Sequence, residues 1–355
     1  MNHSFLDHVF RTNISNMKSY SPGEQPQKGS YIKLNTNENP YSPSELVLIR
    51  LREACSEDLR LYPDPDATRL RKLLSKTFSK KPEQFIIGNG SDELLTILIR
   101  SFVSENDLIA YCYPTYGYYQ PLIDIQGATA VVVDYPDDFT LPEELADTNA
   151  KLTFLVNPNS PSGTILSLEI IEDLASRVNG ILAIDEAYVD FSTGGAMDLV
   201  ESHVNVVIIR TMSKSFSLAG MRIGFACANT ELINGMLKVK DHYNVNRLSL
   251  VAAEAALEDI ENMQKNTMLI CQTRKKLIKD LRNMGFYVWE SATNFVLLRS
   301  IQICAKNLYL ELKERGVLVR YFEQPRLDDC LRVTVGTEDE TDFLLDQLRL
   351  ILNRR

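Results

Sequence analysis

The sequence predicts an α/β fold: a largely parallel sheet covered by helices, followed by a smaller α+β region. Short, continuously apolar runs alternate with helix-length amphipathic segments from about residue 55 to 250. Runs of that kind are strands buried on both faces, the pattern of a helix-covered parallel sheet. After residue 250 the order changes to a long helical stretch, then to three strands interleaved with two helices. At 355 residues the chain also exceeds what one core ordinarily fills, which predicts two domains.

In chain order, the first forty residues read as an extended arm. Tyr20-Ser21-Pro22-Gly23-Glu24-Gln25-Pro26 has no helical or strand period and is rich in turn formers. Phe85-Ile86-Ile87 is a strand, followed by a helix from Ser91 to Phe102. Leu108–Tyr111 precedes a turn over Pro114–Tyr119. Thr129–Val133, Leu152–Val156, Ile181–Ile184 and Val206–Ile209 read as strands buried on both faces. A helical stretch over Ser249–Leu281 leads to strands at Asn294–Leu298, Val317–Tyr321 and Leu331–Val335. Helices are expected between and after them at Cys304–Arg315 and Glu340–Leu352.

Composition removes several classes of function. With 45% hydrophobic and 24% charged residues the chain is an ordinary globular one. The 38 Lys+Arg against 47 Asp+Glu give a net charge of −9, which disfavours nucleic acid and anionic membrane as partners. No apolar run reaches the ~18–20 residues that span a bilayer. The N-terminus shows no secretory signal. The six cysteines are scattered without a CxxC pair, so they read as reduced thiols of a cytoplasmic protein. Four histidines without ligand spacing argue against a metal site or a histidine-based triad.

In parallel sheets ligands bind beyond the carboxyl ends of the strands, so the residues that follow each strand matter most. Ile87-Gly88-Asn89-Gly90-Ser91-Asp92-Glu93 turns tightly into a helix. Its N–H groups would attract an anion, although a well-capped structural turn explains it as well. Asp185-Glu186-Ala187-Tyr188 puts a carboxylate at the end of a buried strand, costly unless a cation faces it; a helix-capping Asp is the plainer alternative. Asn157-Pro158-Asn159-Ser160-Pro161-Ser162-Gly163 by itself is a turn. Thr211-Met212-Ser213-Lys214, continuing to Arg222, sets a lysine among small hydroxyl residues where desolvation can make it a working amine.

An acid, an amine, a phosphate cradle and an arginine at successive strand ends match what pyridoxal 5'-phosphate requires. The sequence resembles the fold-type-I aminotransferases that use this cofactor, and within them the histidinol-phosphate aminotransferase group. Asp185-Glu186-Ala187-Tyr188 and Ser213-Lys214 with Arg222 carry the wider resemblance. The narrower one rests on Ser21–Pro26, Lys33-Leu34-Asn35-Thr36-Asn37-Glu38-Asn39-Pro40, Tyr62-Pro63-Asp64-Pro65, Tyr243–Asn246 and Leu331–Gly336.

The resemblance implies a mostly parallel seven-stranded sheet in the large domain. It implies an arm and part of the small domain over residues 1–54, the cofactor-binding large domain over 55–250, and a linker helix with the small domain over 251–355. By similarity, Lys214 would hold the cofactor aldehyde and carry the substrate α-proton. Asp185 would face the pyridine nitrogen, Tyr188 the phenolic oxygen, and Tyr116 would stack on the ring. Gly90, Ser91, Ser213 and Arg222 would hold the phosphate, with Tyr62 reaching it from the partner of a homodimer, and Asp92 would be a further cofactor contact. Relatives place Asn directly before the second Pro of the turn, where this chain has Ser160, so either Asn159 makes the ring-oxygen contact, the preferred reading, or that hydrogen bond is weakened. Tyr20, Asn37, Arg320 and Arg332 would bind the substrate, the two arginines taking its acidic end.

The implied reaction is ping-pong transamination between L-histidinol phosphate and 2-oxoglutarate, giving imidazole-acetol phosphate and L-glutamate. Threonine-phosphate decarboxylases and aromatic-amino-acid aminotransferases resemble the same pattern. A cofactor-sensing regulator without turnover would need an N-terminal DNA-binding domain and fits poorly with the acidic charge.

Overall fold

The apolar runs assemble into one seven-stranded sheet in a computed structural model that describes residues 9–18, 23–25 and 31–353. After a short β1 (Ile32–Lys33) its strands are β2 (Phe85–Gly88), β3 (Leu108–Tyr113), β4 (Thr129–Asp134), β5 (Leu152–Val156), β6 (Ile181–Asp185), β7 (Val206–Thr211) and β8 (Gly224–Ala228). Their order is β2-β8-β7-β6-β5-β3-β4, with β8 antiparallel to both its neighbours and the other pairs parallel. Residues on β6 alternate between two cores. Leu182 and Ile184 pack with Leu70, Leu74, Ile171 and Leu250 on one face, and Ala183 packs with Leu94, Leu122 and Ile233 on the other. Both faces are therefore covered by helices. Each fully buried Leu or Ile contributes roughly 1.5–3 kcal/mol.

Two expectations are corrected at this level. Thr129–Val133 is not buried on both faces: as β4 it forms the sheet edge, and Val132 is largely exposed. β8 escaped notice because Gly224, Ala226, Cys227 and Ala228 are small and give a weak apolar signal, yet it is wholly buried between β2 and β7.

A second layer system follows. β9 (Tyr287–Val288), β10 (Phe295–Arg299), β12 (Arg320–Tyr321) and β13 (Cys330–Thr334) form an antiparallel sheet in the order β12-β13-β10-β9. The expected strand over Val317–Tyr321 divides in two, because β11 (Val317–Leu318) instead pairs in parallel with β1. Leu34, Phe295, Leu308 and Leu344 share the core beneath, so the segment after β1 is packed with the C-terminal elements. The Leu34 carbonyl accepts from Thr334 N at 2.9 Å, holding the Asn35–Asn39 stretch against β13. The helical stretch expected over Ser249–Leu281 also divides, into Arg247–Glu258 and Ile260–Asn283, at Asp259. Among the described residues no helix is long and apolar enough to cross a membrane, and no group of three His, Cys, Asp or Glu side chains could hold a metal ion.

Candidate active site

Asp185 ends β6, in register with Val156 of β5 and Ile209 of β7. A strand flanked on both sides leaves its last side chain little contact with water, and Asp185 is buried. One carboxylate oxygen accepts from Ala187 N at 3.1 Å and the other from the Tyr119 hydroxyl at 3.2 Å. Burial pushes the carboxyl up to about 6, against the pull of those two hydrogen bonds, and the charges of Asp92 and Glu186 add to the rise. No ion pair reaches Asp185 among the described residues.

Lys214 lies three residues beyond the end of β7. Thr211 shapes that turn, its hydroxyl donating to Ser213 Oγ at 3.0 Å and accepting from Ser213 N at 3.2 Å. The Asn39 amide donates to the carbonyls of Lys214 and Ser215 at 3.0 and 3.1 Å. The Lys214 amine donates to the Thr36 carbonyl at 3.2 Å and lies 5.8 Å from the centre of the Tyr188 ring. Behind both groups, the half-buried Arg210 guanidinium pairs with Glu186 at 2.7 Å and with Asp190 at 3.6 Å, and Ser215 donates to Asp190 at 2.5 Å. The residues next to Asp185 and next to Lys214 are thus tied into one largely buried charged cluster.

The Gly88-Asn89-Gly90 turn opens the Ser91–Phe102 helix. Gly90 has φ +82°, and a Cβ there would lie 2.5 Å from Arg222 Nη2. The glycine leaves a hollow beside a guanidinium and the free N–H groups of a helix start, a site made for an anion. Arg222 also holds a left-handed φ of 50°, a strain that residues at ligand sites often carry. Its Nη2 pairs with Asp92 at 3.1 Å, and Asp92 accepts from the Tyr116 hydroxyl at 3.0 Å.

These groups meet around a cavity of about 110 Å³ lined by Ser91, Asp92, Tyr116, Asp185, Tyr188, Ser213, Lys214 and Arg222. It adjoins a wider one of about 650 Å³ that shares Tyr116, Ser160, Tyr188 and Lys214 and adds Asn37, Arg320 and Arg332. Arg332 donates to Ser160 Oγ at 3.3 Å and to the Asn35 carbonyl at 3.1 Å. The donor set suits a ligand with a phosphate, a carbonyl for an amine to attack, and a ring cation for an isolated buried acid. The outer arginines suit a second anion.

Residues 30–348 match the family model described as aminotransferase class I and II. The chain is 42% identical over 352 residues to histidinol-phosphate aminotransferase 1 of Nostoc sp., covering 99% of this chain and all of that one. It is 43% identical over 346 residues to histidinol-phosphate aminotransferase of Geobacter sulfurreducens, covering 96% and 99% of the two chains. The chain belongs to the histidinol-phosphate aminotransferase family. Its fold matches the crystal structure of histidinol-phosphate aminotransferase from Sinorhizobium meliloti in complex with pyridoxal-5'-phosphate, with a TM-score of 0.90 and 24% identity over 98% of each chain.

The structure of this histidinol-phosphate aminotransferase family member brings most of the sequence-expected residues to the two cavities, and Gly90 to their rim beside Arg222. Asn159 is a correction. Its amide donates to the Pro114 carbonyl at 3.2 Å and Ser162 Oγ at 2.9 Å, and its oxygen accepts from Thr115 at 2.8 Å. Those bonds hold the turn together and consume the side chain, so Ser160 rather than Asn159 faces the cavity. Tyr62 lines neither cavity; it is 76% exposed and stacks on Tyr243 with ring centres 4.3 Å apart. Tyr20 lies outside the described residues. Sequence reasoning missed Thr36 and Tyr119. Nothing in sequence marks a backbone carbonyl as an amine's acceptor, and Tyr119 was hidden among Tyr113, Tyr116 and Tyr118, all plausible packing aromatics.

Proposed function

We propose that the chain binds pyridoxal 5'-phosphate and transfers the amino group of L-histidinol phosphate to 2-oxoglutarate, giving imidazole-acetol phosphate and L-glutamate. The observation that carries this reading is the shared cavity: the Lys214 amine, the Asp185 carboxylate and the Gly90–Arg222 hollow line or border one small space. The names of relatives at about 42% identity over nearly the whole chain support the substrate assignment.

When bound, the cofactor supplies a carbonyl that condenses with amines and a ring that accepts the electron pair left by a departing α-proton. Asp185 offers the negative charge that keeps a ring nitrogen protonated. Tyr188, whose hydroxyl already accepts from Asn37 at 2.9 Å, donates to the phenolic oxygen. Arg222, Ser213, Ser91 and the Gly90 turn bind the phosphate, with Asp92 holding Arg222 in place. Lys214 would hold the cofactor through its amine at rest and, with that amine freed, would serve as the base that carries the substrate α-proton. Its proximity to both the Thr36 carbonyl and the Tyr188 ring orients the amine for that work. Arg320 and Arg332 bind the phosphate of histidinol phosphate in one half-reaction and the distal carboxylate of 2-oxoglutarate in the other; planar guanidinium forks accept both anions.

The same reading takes the protein as a cytoplasmic homodimer whose exposed Tyr62 completes the partner's phosphate site. Support comes from the apolar surface around it, Leu59, Leu61 and Tyr243 being exposed too, and from six cysteines that are all free. It also takes residues 55–250 as the cofactor-binding unit.

A panel of half-reactions tests the proposal. Cofactor-loaded protein is mixed separately with L-histidinol phosphate, L-glutamate, L-phenylalanine and L-threonine phosphate while the cofactor spectrum is followed. Conversion with histidinol phosphate and glutamate is expected. No conversion with histidinol phosphate overturns the substrate, and release of carbon dioxide from threonine phosphate reassigns the reaction.

A further inference from the structure

The Tyr119 hydroxyl reaches the Asp185 carboxylate, and the reaction above does not use it. Tyr119 is fully buried at the start of the Tyr119–Gln126 helix and stacks on Phe154 of β5 with ring centres 4.4 Å apart and planes 4° from parallel. Tyr116, which lines the cavity, meets its ring edge-on at 5.6 Å. Stacking and burial leave the ring no alternative position, so the hydroxyl has a fixed direction, and that direction is Asp185 Oδ2, 3.2 Å away.

We propose that Tyr119 is a positioning residue, its hydroxyl holding the Asp185 carboxylate in the charged form and in the orientation that faces the cofactor ring. The proposal rests on the reading that Asp185 meets that ring. A phenol this deeply buried beside a carboxylate keeps its proton, since burial and the Asp185 charge both raise its pKa far above the ordinary tyrosine range. Toward an ionised Asp185 it therefore donates. The other charges facing Asp185 do not replace it. Asp92 and Glu186 oppose ionisation, although Arg222 pairs with the first and Arg210 with the second. Lys214 stands across the cavity with its amine on Thr36, and the Tyr188 hydroxyl is engaged with Asn37. Besides Ala187 N, Tyr119 supplies the direct hydrogen bond that favours the anion.

The test reads Asp185 with and without cofactor. In cofactor-free protein, melting temperature is followed against pH for wild type and Tyr119→Phe, each referred to the same protein carrying Asp185→Asn. The midpoint of the Asp185 contribution is expected to move up by about one pH unit in Tyr119→Phe, the size of a lost hydrogen bond to a charged group. Phe154→Leu, which keeps the hydroxyl but loosens the ring that aims it, is expected to move the midpoint up by less than Tyr119→Phe does. In loaded protein, pyridoxal 5'-phosphate is expected to dissociate about tenfold faster from Tyr119→Phe, with no further acceleration when Asp185→Asn is already present. An unmoved midpoint in Tyr119→Phe, or a larger shift in Phe154→Leu than in Tyr119→Phe, overturns the role of the hydroxyl. If the midpoint moves but Asp185→Asn leaves cofactor dissociation unchanged, what fails is the contact between Asp185 and the ring, and the positioning role falls with it.

Discussion

The Asn37 side chain donates its amide to the Tyr188 hydroxyl at 2.9 Å, joining the stretch packed on β13 to the cavity at the end of the large sheet. Asn37 is locked there: its oxygen accepts from Thr334 at 3.1 Å, its N–H donates to the same hydroxyl at 3.0 Å, and its carbonyl accepts from Asn294 at 2.9 Å. Its φ of 58° lies in the left-handed region, where Asn is better tolerated than other non-glycine residues. Asn37→Ala is expected to lower kcat/KM about tenfold, near 1.4 kcal/mol, and to destabilise the fold by about 1–2 kcal/mol. Steady-state kinetics and denaturant unfolding check both.

Asp185 makes stability and function pull apart. Its carboxyl is raised to about 6 in the folded chain against an ordinary 3.8, chiefly by burial, so the folded state binds the proton more tightly than the unfolded one. The resulting stabilisation is complete below the ordinary value and is lost as pH rises through about 6. At neutral pH the buried charge therefore costs on the order of 3 kcal/mol in the cofactor-free protein. Asp185→Asn is expected to be more stable than wild type above pH ~6 and to match it near pH ~3, while losing at least a hundredfold in kcat. Melting curves against pH and half-reaction rates read the two effects.

Gly90 sets the depth of the anion hollow. In Gly90→Ala the methyl would stand 2.5 Å from Arg222 Nη2 at a φ of +82°, so the guanidinium must move and the turn is strained. Affinity for pyridoxal 5'-phosphate is expected to fall tenfold or more, with about 1 kcal/mol lost in stability. Cofactor titration followed by fluorescence measures the first, and thermal melting the second.

Tyr62 offers a test of shared sites. It is exposed and lines neither cavity of its own chain. If it serves a partner's site, Tyr62→Ala and Lys214→Ala should each be impaired alone, and their mixture should regain activity through hybrid dimers that contain one intact site. Failure of mixing to restore any activity, in a sample shown to exchange subunits, removes Tyr62 from the site.

What could be read from the sequence follows burial. β5, β6 and β7 stand between other strands, so their apolar runs were unbroken, and the polar residues ending those runs, Asp185 and then Lys214, stood out by contrast. β8 gave no such contrast because its residues are small. Asn159 and Ser160 differ by one position in a turn held by side-chain bonds, and the direction each takes depends on Thr115 and Ser162, which no local pattern reveals. Tyr119 owes its contact with Asp185 to the packing of its helix against β5, a tertiary relationship between residues 66 positions apart.

The most direct test of the whole account is chemical trapping of the resting protein. The cofactor-loaded enzyme is reduced with borohydride, digested, and its peptides are mapped by mass spectrometry. A phosphopyridoxyl group on Lys214, lost in Lys214→Ala, is the predicted result. The same group on any other lysine, or none on Lys214 in a protein that has bound the cofactor, would contradict it.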